Sequence, residues 1–130
     1  MKLITRDTDY AIRALCYISR KTDNIISVAE LVNKLRVPRP FLRKILQILN
    51  SEGILESYKG QGGGFKLIRP AGSIFLVDLI EVFQGSFRLN ECFFKGGICP
   101  RRKSCNLKKK IDDIEKIVVT RLKSITIASL

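Results

Sequence analysis

At 130 residues and 45% hydrophobic, the chain is long and apolar enough for one domain with a real core, and too apolar for a disordered tail. Twenty-four Lys+Arg against 12 Asp+Glu give a formal charge of +12, an excess that calls for a polyanionic partner, either nucleic acid or an anionic membrane surface. Histidine is absent, which removes His-based acid–base catalysis, His-assisted nucleophiles and imidazole metal ligands together.

An enzyme is not expected, because no paired acid–base carboxylates in a motif and no nucleotide fingerprint accompany that absence. No apolar run approaches the ~18 residues that a membrane span needs. Met1-Lys2-Leu3-Ile4-Thr5-Arg6-Asp7 breaks into charge too soon for a signal peptide, so the expected compartment is the cytoplasm. There, cysteines serve more often as metal ligands or redox sensors than as structural staples.

In chain order, Thr5 or Thr8 caps a first helix reaching about Lys21, with Tyr10, Ala11, Ala14, Leu15 and Ile18 on one apolar face. Cys16 lies beside that face and reads as a small buried hydrophobe. After a loop over 22–26, Ser27 stands three residues before Glu30, the capping-box spacing that opens a short helix over Val28–Leu35. Arg36-Val37-Pro38 is a turn, and Pro38 and Pro40 sit at the entrance of a third helix over Phe41–Ser51. Its inward stripe is Phe41, Leu42, Ile45, Leu46, Ile48 and Leu49; Arg39, Arg43, Lys44 and Gln47 fall on the other side.

Gly53 ends that helix as a cap residue would. Leu55–Tyr58 and Phe65–Ile68 are short strands joined by Lys59-Gly60-Gln61-Gly62-Gly63-Gly64, a hairpin tip. A phosphate-cradling Walker loop does not fit, since no Gly-Lys-Ser/Thr opens a helix behind those glycines. Ser73 to Phe83 forms another amphipathic helix, with Leu76, Leu79, Ile80 and Phe83 inward and Gly85 closing it. Leu107, Ile111, Ile114, Val118, Leu122 and Ile125 step by fours and threes along a long final helix, a narrow stripe suited to packing on a second chain.

Three of the four cysteines, Cys92, Cys99 and Cys105, are gathered between these last two helices with gaps of six and five residues, in a Gly- and Pro-containing loop. Soft thiolates so grouped suit an iron–sulfur cluster or zinc, and Lys95, Arg101, Arg102 and Lys103 among them favour the thiolate form. Zinc more often uses C-x-x-C pairs, which are missing here. A redox disulfide, or plain reduced thiols in an ordinary loop, are the alternatives.

Two short helices around a tight turn, followed by a Gly-tipped hairpin, make a winged helix-turn-helix. The fold class is therefore mainly α with a small β-hairpin wing and a long C-terminal dimerisation helix. Its parts are 1–85 as the double-stranded-DNA-binding domain, 86–106 as the cysteine loop and 107–130 as the dimerisation helix, in one compact unit. The third helix enters the major groove and the wing reaches backbone or minor groove. Candidate DNA-contacting residues are Ser27, Pro38, Arg39, Arg43, Lys44 and Gln47 on the helix-turn-helix, and Lys59, Gln61 and Gly62 on the wing. Arg43 and Gln47 are also able to read base edges. The plain alternative is a solvated helix face.

Across nearly its whole length the chain resembles the BadM/Rrf family of bacterial winged-helix transcription regulators, of the IscR/NsrR type. The matching pieces are Met1-Lys2-Leu3, Thr8-Asp9-Tyr10-Ala11, the helix-turn-helix through Leu49, Gly60-Gln61-Gly62-Gly63-Gly64-Phe65 and the cysteine triplet. The resemblance implies a homodimer joined through the long helix and bound to an inverted-repeat operator. It also implies an iron–sulfur cluster (four-iron by preference, two-iron as the alternative) on Cys92, Cys99 and Cys105 whose state sets DNA affinity in response to nitric oxide, redox state or iron–sulfur status. The chain departs from the IscR type, which takes a His three residues after the last cysteine, where Lys108 stands here. Similarity to the NsrR type implies instead that Asp9, donated across the dimer, is the fourth ligand, with Asp7, Glu91 and Cys16 as reserves. Asp9 alternatively only complements the helix dipole. The competing functions are a thiol- or zinc-based redox regulator and a protein-docking module without a cluster.

Overall fold

The computed structural model describes residues 2–21, 23–89 and 104–130. The cysteine loop with Cys92, Cys99 and Glu91 lies outside the described residues. Among the described residues five α-helices and one hairpin follow in the order α1 (Arg6–Ser19), α2 (Val28–Leu35), α3 (Arg39–Ser51), β1 (Leu55–Tyr58), β2 (Gly64–Leu67), α4 (Leu76–Gln84) and α5 (Asn106–Leu122).

Helix α1 runs through the centre. Ala11, Ala14, Leu15 and Ile18, the apolar face expected from periodicity, are buried against Leu42, Ile45, Leu46 and Leu49 of α3 and Leu31 of α2. Each fully buried Leu or Ile in this cluster contributes about 1.5–3 kcal/mol over an exposed one. Thr5 occupies the α1 cap position without a side-chain cap bond, and Thr8 is no cap at all. Thr8 is completely buried, and its hydroxyl donates to Gln84 Oε1 at 2.7 Å.

Ser27 does cap α2, its hydroxyl accepting from the Glu30 amide at 3.1 Å. The reciprocal half of the capping box is absent because the Glu30 carboxylate accepts from Tyr17 Oη at 2.7 Å instead, pinning α2 to α1. That bond raises the Tyr17 phenol above its ordinary pKa. Arg36, in the left-handed conformation at φ 54, turns the chain out of α2 and drives Val37 into the core.

Helix α3 begins at Arg39, two residues earlier than its apolar stripe announces, with Pro38 at the cap and Pro40 in the first turn. Phe41 is therefore not inward: it is 43% exposed and lies under the Arg6 guanidinium, 5.1 Å from ring centroid to cation. Ile48, also expected inside, is half-buried. The helix ends in a Schellman motif, with Gly53 N–H donating to Asn50 O and Ile54 N–H to Leu49 O. Gly53 takes the left-handed φ of 72 that this ending needs.

The hairpin pairs β1 with β2 in antiparallel register, Leu55 opposite Leu67 and Tyr58 opposite Gly64. A third edge is supplied by Ile26, which exchanges both backbone hydrogen bonds with Phe65 at 2.9 and 2.8 Å. The wing is thereby fixed to the residue before the α2 cap.

Ser73 closes a short 3-10 turn over Ala71–Ser73, and α4 starts only at Leu76. Helix α5 is long, with Leu122 its one buried residue, and it stops there, short of Ile125. Residues 123–130 instead turn back: Thr126 pairs with Phe75, Ile125 O accepts from Leu76 N–H, and Ile127 donates to Ile74 O and enters the core. Among the described residues no helix is long and apolar enough to cross a membrane.

Candidate nucleic-acid interface

Arg39, Arg43 and Gln47 stand four residues apart on α3 and so form one row along its outer face. Because Leu42, Ile45, Leu46 and Leu49 hold the opposite face in the core, that row cannot rotate inward. The hairpin folds beside it. Together they enclose an open groove of about 540 Å³, lined by Arg39, Arg43 and Gln47 from α3, Ser27 to Ala29 at the start of α2, and Ser57 to Gly60 with Gly63 to Phe65 from the wing.

The structure thus brings five of the candidate residues, Ser27, Arg39, Arg43, Gln47 and Lys59, into one concavity. Pro38 serves as the α3 cap, Lys44 is exposed on the flank of the helix, and Gln61 and Gly62 are exposed at the wing tip, all outside the groove lining. Sequence reasoning missed Ser57 and Tyr58, the last two residues of β1, which line the groove because the strand runs beside the α3 row.

The charge of the groove is available. Among the described residues the ion pairs join Asp9 to Arg13, Asp23 to Lys66 and Asp112 to Lys108, and none uses Arg39, Arg43, Lys44 or Lys59. The first turn of α3 contains no acidic residue, so its amide dipoles are not already neutralised by its own side chains. A concave, cationic face carrying a helix N-terminus and a glycine-rich hairpin suits a phosphate backbone with an exposed base edge beside it.

Two of the candidate metal ligands fall within the described residues. Cys105 is the N-cap of α5, its Sγ accepting from the Lys108 amide at 3.4 Å. Asp9, in the first turn of α1, pairs with Arg13 at 2.9 Å, both side chains being well exposed. The reserve Cys16 is half-buried; burial pushes its thiol pKa up, partly opposed by Arg20. Among the described residues no three His, Cys, Asp or Glu side chains come together as a metal site.

The sequence profile of the Rrf2 family, described as iron-dependent transcriptional regulators, matches residues 4–130. Protein aau3 of Rhizobium meliloti is 39% identical over 105 residues, spanning 80% of this chain and 68% of that protein. The HTH-type transcriptional regulator NsrR of Oceanobacillus iheyensis is 33% identical over 107 residues, 81% of this chain and 73% of its own. Among solved structures, CymR (YrzC), the global cysteine regulator of B. subtilis, superposes with a TM-score of 0.82 at 19% identity, covering 99% of this chain and 95% of that one. That last likeness concerns the fold: winged helix and long following helix alike. A basic groove built from a helix-turn-helix and a wing, in a chain whose profile match runs from residue 4 to residue 130, therefore has one family: the chain belongs to the Rrf2 transcriptional regulators and is not an enzyme.

Proposed function

We propose that this protein is a homodimeric repressor or activator that binds an inverted-repeat operator and whose affinity is set by an iron–sulfur cluster on Cys92, Cys99 and Cys105, with the partner subunit's Asp9 as fourth ligand. The observation that carries the DNA-binding part is the groove joining the Arg39–Arg43–Gln47 row to the wing. The dimer is supported by α5, where Leu107, Ile114 and Ile117 are 67%, 50% and 65% exposed along one helix. Water-exposed apolar side chains in such a row are covered favourably by a second copy.

The donor set fits a cluster. Three soft sulfurs suit iron, and a carboxylate is a hard, exchangeable fourth ligand. Among the described residues Asp9 is held by one exposed i,i+4 pair worth about 0.3–0.5 kcal/mol, so leaving Arg13 for iron costs little. When bound, the cluster supplies an attackable centre whose loss signals nitric oxide, oxygen or iron shortage. The chain's own residues do the rest. Cys105 fixes the start of α5, Asp9 ties the other subunit's α1 to the cysteine loop, and α1 packs directly on α3. Releasing the Asp9 tie shifts the spacing of the two recognition helices, and a dimer must match half-sites about one helical turn or a multiple apart.

Operator affinity of cluster-loaded and cluster-free protein tests this, with an expected difference of about 5- to 150-fold. Equal affinities would remove the sensing reading and leave DNA binding intact. The Asp9→Ala variant should keep the melting behaviour of the cluster-free parent but lose visible cluster absorption much faster in air; a parent-like decay would assign the ligand elsewhere. Lys59→Ala on the wing should weaken operator and random duplex alike, and should reduce the slope of log K against log salt by about 0.9. An unchanged slope would take Lys59 off the phosphate backbone.

A further inference from the structure

The first turn of α1 is held by a side chain from far along the chain. Gln84, the last residue of α4, accepts at Oε1 from the Thr5 amide at 2.9 Å and from the Thr8 hydroxyl at 2.7 Å, and its Nε2 donates to Leu3 O at 3.3 Å. A backbone N–H only donates, so the Gln84 amide turns its oxygen to Thr5 and its nitrogen to the Leu3 carbonyl. With its proton committed to Gln84, Thr8 Oγ1 receives the Thr5 hydroxyl at 3.1 Å. The Thr5 amide, both threonine hydroxyls and Gln84 Oε1 are thus paired with one another, around a Thr8 that is wholly buried.

The knot lies between two functional segments. Directly after Gln84, Gly85 at φ 79 turns the chain out of α4 and toward the cysteine segment, and Leu89 N–H is then held by the Glu115 carboxylate of α5 at 2.9 Å. On the other side, the same turn of α1 carries Asp9 and Arg6, and the Arg6 guanidinium covers Phe41 in the first turn of α3, between Arg39 and Arg43. One helical turn therefore touches the root of the cysteine loop and the start of the recognition helix.

We propose that Gln84 is a positioning residue that relays the state of the cysteine loop through Thr5, Thr8 and the Arg6–Phe41 contact to the DNA-reading face of α3. This rests on the sensing function proposed above and names the residues that would carry it. Strain on the loop root pulls Gln84, Gln84 pulls the start of α1, and Arg6 moves with it. Phe41 follows, which re-aims Arg39 and Arg43.

The test compares operator affinity, loaded and cluster-free, for the parent, Gln84→Leu, Thr8→Val and Gln84→Glu. Gln84→Glu keeps both accepted bonds, sets a carboxylate oxygen in place of the donor facing Leu3 O, and adds a negative charge at the N-terminus of α1, where it is tolerated. The loaded-to-free affinity ratio should fall by about three- to tenfold in Gln84→Leu and Thr8→Val and stay close to the parent in Gln84→Glu. Independently of any cluster, amide exchange in the cluster-free protein should quicken in Gln84→Leu at both Asp9 and Leu42, which bond to Thr5 O and Pro38 O, while Leu15 stays protected. A loss of affinity equal in both states, or quickening at Asp9 without Leu42, makes Gln84 merely structural and overturns the relay. A parent ratio of one overturns the relay together with the sensing function, whereas an unchanged ratio in the variants of a responsive parent overturns the relay alone.

Discussion

Gly64→Ala should destabilise the fold by about 2–4 kcal/mol, from overpacking combined with lost backbone bonding, and lower the melting midpoint by roughly 10 °C. A Cβ at this position would run into the Ile26 carbonyl, 2.6 Å from its carbon and 2.9 Å from Ser27 Cα. Both obstacles are backbone, so no side chain is able to swing aside. Relief requires that Ile26 move off Phe65, which breaks the pair of hydrogen bonds fixing the wing to the α2 entrance. Operator binding should fall with stability, because Ser27 and Lys59 lose their common frame. Gly62→Ala provides the contrast: it meets open space, and only its left-handed φ of 77 opposes a side chain, a cost of about 1–2 kcal/mol. Equal thermal stability of the two variants would show that the close approach at Gly64 does not constrain the wing.

Arg43→Ala should weaken operator binding by about 10- to 100-fold while leaving folding unchanged, matching the ~1–3 kcal/mol of one good bidentate base contact. The side chain is exposed, forms no ion pair among the described residues, and sits at the middle of the α3 row inside the groove. Its removal therefore empties no part of the core. Random duplex should suffer much less, since it loses one phosphate-range charge and no base pairing partner. Anisotropy titrations against operator and scrambled duplex at fixed salt measure both numbers. Identical losses on the two DNAs would place Arg43 on the backbone and leave base reading to Gln47.

Much of this architecture is written locally in the chain. The α1 face, the Ser27 cap, the Arg36–Pro38 turn, the hairpin and the row at Arg39, Arg43 and Gln47 all follow from spacings within a few residues. What escaped is non-local. Thr8 reads as a cap candidate because its partner is 76 positions away, and nothing in a window around either residue reveals Gln84. Phe41 satisfies an inward pattern by composition, yet Pro38 opens α3 early and leaves the ring at the rim, where Arg6 covers it. Periodicity also carried the last helix past its end: Ile125 keeps the stripe's spacing, but its carbonyl bonds Leu76 instead of continuing the helix. The cysteine triplet was legible as chemistry, and Cys105 at the start of α5 is the part of it that falls in the described residues.

The return of the chain after α5 has a mechanical consequence. Leu122, Ile127 and the pairing of Thr126 with Phe75 anchor one end of the helix, whereas Leu107 to Lys110 at the other end are exposed on all sides. Glu115 also holds Leu89 N–H at mid-helix, so the part of α5 that projects as a cantilever is 106–114, about 13 Å long. Tilting that length by about 10° sweeps the free tip, where Cys105 sits, through about 2 Å. A slight tug at the tip thus becomes torque at the start of α4, where Leu76 N–H is held by Ile125 O.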